Sequence, residues 1–152
     1  MYSVLLFLHS IFRWLVLVSL IYSIYMASRG YALKLVFSKT DNAIRHWTAT
    51  LAHIQLMIGM VLYFKSPLIH YFWSPAGKAA ASKELTFFGL VHLALMLISI
   101  ILITIGSAKA KRQQQDKAAI KTVLIWYSIA LILIFIAIPW PFSPLANRPY
   151  FR

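Results

Sequence analysis

A short set of polar side chains sits inside long apolar stretches of this chain: His9 and Arg13, then His46, His53 and Gln55, then His92 and Ser99. A polar group in lipid is costly and is a functional candidate by default. Neutral imidazoles can ligate iron or copper. His9 and Arg13 are four residues apart, so one helix face carries both. Arg13 keeps its proton and calls for an anion: a haem propionate, a lipid phosphate or a carboxylate of another subunit. The alternative is that it snorkels to the interface. Gln55 could bond a neighbouring helix or a quinone carbonyl. No Asp or Glu lies within these stretches, which argues against a cation pump or antiporter. No nucleophile with an acid or base partner is present, so a hydrolase has no support.

The same residues form stripes. His46, Thr50, His53, Met57 and Met60 follow helical spacing, as do His92, Met96, Ser99, Ile103 and Gly106. These stripes read as helix-packing faces, with Met as filler and Gly59 and Gly106 marking close approach. His53 with Met57 and Met60, and His92 with Met96, would also suit copper or another soft metal. The chain has no cysteine. Disulfides, iron–sulfur clusters and thiolate metal sites are excluded.

The elements that must position these groups are transmembrane helices. Of 152 residues, 61% are hydrophobic and 12% charged, against about 25% charged in a soluble domain. The apolar residues fall into four runs, about 2–26, 43–64, 85–107 and 122–140. Each is long enough to cross a ~30 Å hydrocarbon core. The expected fold is all-α, a four-helix integral membrane bundle forming one domain over residues 1–152. The start, Met1–Leu8, lacks a basic region and reads as a retained helix, not a cleaved signal. Helix three could begin early, over Ala79–Ser82. Pro139-Trp140-Pro141 should end helix four.

The net charge of +12 fits loop lysines and arginines that set topology and meet anionic lipid; no soluble nucleic-acid-binding module is evident. The first loop holds Arg29, Lys34 and Lys39, with Arg45 just beyond. The third holds Lys109, Lys111, Arg112, Lys117 and Lys121. The second is less basic, with Lys65, Lys78 and Lys83; Arg148 and Arg152 lie in the tail. The positive-inside rule then puts loops one and three in the cytoplasm and both termini outside. The aromatic run His70–Trp73 belongs in the outer interface.

Counted from the outer surface, His9 and His92 lie ~12 Å deep and His53 ~18 Å. Three imidazoles from three helices at similar depth suit a b-type haem clamped by two of them. The expected iron ligands are His53 and His92, with His9 as the alternative and Arg13 beside the haem.

Four strings carry a resemblance: Leu8-His9-Ser10-Ile11-Phe12-Arg13-Trp14, His53-Ile54-Gln55-Leu56-Met57-Ile58-Gly59, Val91-His92 and Ile138-Pro139-Trp140-Pro141-Phe142. Over most of its length the chain resembles a group of small bacterial four-helix membrane proteins loosely labelled cytochrome b-like. The resemblance implies haem b, electron transfer in the bacterial inner membrane, and His9, His53 and His92 at the matching positions. The chain departs from the two-haem, four-histidine cytochrome pattern, since helix four has no histidine. The leading expectation is a one-haem electron carrier or respiratory subunit, with quinone and other membrane subunits as candidate partners. The alternative is a cofactor-free accessory subunit of a larger complex, and a metal handler ranks third.

Overall fold

The computed structural model describes residues 1–79, 82–144, 146 and 148. Helix α1 spans Tyr2–Ala32 and α2 spans Lys39–Lys65. Three short helices follow: α3, Pro67–Trp73; α4, Pro75–Ala79; and α5, Lys83–Thr86. A π-helical turn, Phe87–Val91, leads without a break into α6, His92–Lys111. Helix α7, Asp116–Ala137, completes the bundle. Among the described residues there is no strand.

Four stretches are long and apolar enough to cross a membrane: Tyr2–Ala32, Lys39–Lys65, Lys83–Lys111 and Asp116–Ala137. Large apolar side chains such as Val18, Ile21, Ile101, Ile132 and Phe135 point outward. So much exposed hydrocarbon is unstable in water and at home in lipid. The chain is a multi-pass membrane protein.

The helices form a ring. α1 packs on α2 and α7, and α6 packs on α7 and α2. Short connections make ring neighbours antiparallel. One end of the ring carries the start of α1, the end of α7 and α3–α5; we call it the terminal end. The other carries residues 33–38 and 112–115 and is the basic end. There Lys117 lies over the Tyr31 ring and Lys109 over Trp126.

Several helix ends differ from expectation, each for a local reason. α1 runs through Ser28-Arg29-Gly30 because Gly30 is buried against Ile120, where a side chain would have little room. It stops at Leu33, followed by Lys34 at φ 54°. α2 begins at Lys39 because Ser38 and Asp41 form a reciprocal capping box. The third span runs past Ser107 to Lys111. α7 starts at Asp116 and stops at Ala137, since Ile138 precedes a proline and is extended. The second connection, expected as a loop, is largely helical. Of the proposed early start to helix three, Ala79 ends α4 and Ser82 caps α5, its hydroxyl accepting from the Leu85 N–H. Ala80, Ala81 and Arg152 lie outside the described residues.

The half of the bundle nearer the basic end is less apolar than its sequence implies. Arg45 is 4% exposed in the bundle centre. Its guanidinium donates to the Ser107 carbonyl at 2.9 Å, to the Ser107 hydroxyl and to Asn42 Oδ1. Tyr127, fully buried, donates to the Arg45 carbonyl at 2.8 Å. Small residues let helices approach: a Cβ on Gly106 would lie 2.4 Å from Trp126 Cβ.

Candidate functional site

A cavity of about 280 Å³ opens inside the terminal half of the ring. α1 contributes His9 and Arg13, α2 contributes Gln55 and Gly59, and α6 contributes His92 and Met96. Its floor includes Val16, Ala52, Ile100 and Ile134. Leu68 and Ile69 of α3 line the terminal side, with Arg148 of the tail. Mostly apolar walls with a few convergent polar groups are the usual form of a cofactor or ligand pocket.

The π turn positions His92. A π turn holds one residue more than an α turn and so re-aims the side chain that follows it. The freed segment is held from α2, where Tyr63 donates to the Gly89 carbonyl at 2.9 Å and itself accepts from Trp73 Nε1 at 3.1 Å. Gly89 has no side chain because the Phe72 ring of α3 occupies its space; a Cβ would lie 2.5 Å from Phe72 Cδ1. His92 is flanked by Phe87 and Phe88, with ring centres 5.8 and 6.2 Å away.

His92 and His9 face each other across the cavity, their ring centres 6.4 Å apart and their planes at 66°. His92 Nδ1 lies 2.8 Å from the Ala137 carbonyl. A carbonyl only accepts, so Nδ1 carries the proton and Nε2 keeps its lone pair. A bond of this kind fixes tautomer and ring orientation in metal-ligating histidines. His9 is held differently. The Gln55 amide donates to the His9 carbonyl at 2.9 Å, and its nitrogen is 3.4 Å from His9 Nε2. The Nδ1–Cε1 edge of His9 faces Gly59, where a Cβ would lie 3.2 Å from Cε1. His9 Nδ1 and Gln55 Oε1 are buried without a hydrogen-bond partner among the described residues.

No family model, no curated protein and no solved structure matches this chain. The geometry of the cavity therefore carries the reading of its function.

His9, Arg13 and His92 come together; His53 does not join them. Its Nδ1 is 2.7 Å from the Ala49 carbonyl and its Nε2 is 3.0 Å from Thr104 Oγ1, and the residue is exposed on the outer surface of the bundle. Register and face explain this. Tyr63 bonds Gly89, so Lys65 is level with about residue 87, not with Glu84, and His92 sits nearer the terminal end than the count suggested. The stripe of His46, His53 and Met57 faces outward, while Arg45, Thr48, Ala49 and Ala52 are buried. Among the described residues no three His, Asp or Glu side chains gather as a metal group.

One cavity residue, Arg148, carried no site signal in the sequence. Arg148 stood out only as a tail charge. It pairs with Glu84 and lies over the Phe88 ring at 5.0 Å. Gln55, a candidate for bonding a neighbouring helix, does so: its amide donates to the His9 carbonyl of α1.

Proposed function

We propose that this protein holds one b-type haem in the cavity and transfers electrons within a bacterial inner membrane. The observation that carries the reading is the opposition of His9 and His92 across an apolar cavity, with His92 Nδ1 tied to the Ala137 carbonyl. The two ring centres are 6.4 Å apart, which leaves both side chains within reach of one group held between them. A porphyrin would supply the iron with its remaining donors, so two histidines would suffice where a bare metal ion would need more protein ligands.

The donor set fits the group. His92 offers a free Nε2 lone pair, and His9 stands opposite it. Arg13 and Arg148, both lining the cavity, can pair with propionates. When bound, haem supplies a one-electron redox centre. The chain's own part is to orient two imidazoles, neutralise carboxylates and exclude water with Val16, Ile100 and Ile134. Quinone is the candidate electron partner. The basic end, with Arg29, Lys34, Lys39, Lys111 and Arg112, would face the cytoplasm and both termini the outside.

The test is optical. Purified protein incubated with haemin should develop a Soret band in roughly one-to-one stoichiometry. His92→Ala should weaken haem binding at least about tenfold. Absence of any haem uptake by the native chain would sink the proposal.

A second reading, an accessory subunit without cofactor, draws on the outward polar stripe of His46 and His53. Polar side chains on a lipid-facing surface serve as contacts for another membrane helix. A protein that purifies as a single stable species in mild detergent, with no partner, counts against it.

A further inference from the structure

The two histidines that face each other are not equivalent, and the difference lies in their protons. His92 donates from Nδ1 to the Ala137 carbonyl, which leaves Nε2 ready to ligate. On the opposite wall, the Gln55 amide nitrogen meets the His9 carbonyl at 2.9 Å, which fixes that end of the amide as the nitrogen. Its other N–H reaches His9 Nε2 at 3.4 Å. An amide nitrogen only donates, so Nε2 accepts and Nδ1 holds the proton. In this arrangement the Nε2 lone pair of His9 is engaged, and its protonated Nδ1 cannot ligate.

We infer that His92 is the anchoring ligand of the haem and His9 a displaceable one, so that the iron position on the His9 side takes up small neutral diatomic ligands. The inference rests on the proposed haem reading and deepens it. Gln55 is the positioning residue. Were His9 to ligate the iron, the Gln55 amide, held by the His9 carbonyl, would compete for its Nε2. That competition weakens the His9 bond and not the His92 bond. The Nδ1–H of His9, on the edge that faces Gly59, has no acceptor among the described residues. Gly59 keeps space beside that edge, since any side chain there would crowd Cε1 at 3.2 Å.

The experiment uses the full chain in detergent or nanodiscs, reconstituted with haemin, and reads absorption spectra with carbon monoxide as the probe. Reduced native protein should bind carbon monoxide and shift its Soret band. His9→Ala should keep its haem, while His92→Ala loses it. Gln55→Leu removes the competitor, so His9 stays on the iron and carbon monoxide binding slows about fivefold, the worth of one hydrogen bond. The double variant Gln55→Leu with His9→Ala should bind carbon monoxide at least as fast as the native chain. Circular dichroism of each variant reports folding. If His92→Ala fails to fold, the native and Gln55 variants decide the matter. A native protein that binds haem but refuses carbon monoxide overturns the inference and leaves the haem reading standing. Equal loss of haem in His9→Ala and His92→Ala overturns it too. A native chain that takes up no haem removes both.

Discussion

Tyr127 and Arg45 show how a single polar contact is used inside this bundle. The Tyr127 hydroxyl crosses the centre to the Arg45 carbonyl, and the Arg45 side chain reaches Ser107. Both groups would be costly in hydrocarbon without partners. Tyr127→Phe should therefore destabilise the protein by about 1 kcal/mol, the usual worth of such a bond. Arg45→Met should cost about 1.5–3 kcal/mol, since charged hydrogen bonds are stronger. Thermal unfolding in a fixed detergent checks both values, and neither change should alter haem uptake. Gly59→Ala is the converse case. Its added methyl meets the His9 ring edge, so it should perturb the haem spectrum more than the melting temperature. At this scale the sequence exposed His9, Arg13 and His92 because polar residues in an apolar run stand out. Gln55 stood out too, but its pairing with His9 did not, and Arg148 gained its role only from what it touches.

Helix ends and helix contacts in this chain answer to local chemistry and to close packing. The Ser38–Asp41 box closes the start of α2 by reciprocal hydrogen bonds. Ser38→Ala should cost about 1 kcal/mol, measured by the same unfolding assay. Gly106 permits α6 and α7 to touch, with Trp126 filling the space a side chain would take. Gly106→Val should force the two helices apart and destabilise by about 1–3 kcal/mol. The π turn before His92 is the element that composition could not reveal. It depends on Phe72 filling the room beside Gly89 and on Tyr63 drawing the Gly89 carbonyl, both from outside its own segment.

The whole molecule is a ring of four spans with a mostly apolar cavity in its terminal half and the buried Arg45 in its basic half. An even number of spans brings the start of α1 and the end of α7 to one side, and the basic connections lie together on the other. Because the chain has no cysteine, single-cysteine variants can test this directly. An impermeant maleimide added to whole cells should label Ser74→Cys, and label Gln114→Cys only after lysis. Labelling of Gln114→Cys in intact cells would invert the orientation proposed above.

What the sequence determined by itself was the solvent and the number of spans. Long apolar runs and sparse charge leave lipid as the only stable environment, and that conclusion needs no knowledge of contacts. It also narrowed the chemistry to a few imidazoles and one intramembrane guanidinium. Which imidazoles meet was decided by the tertiary structure. Helical spacing puts residues on a common face but does not say which face turns inward. Counting from charged ends sets depth only to within a turn or so, and the Tyr63–Gly89 contact shifts the register of α2 against α6 by about that much. Packing of small residues, Ala49, Ala52 and Gly59, turned the other face of α2 inward. It left His53 outside and brought Gln55 to His9.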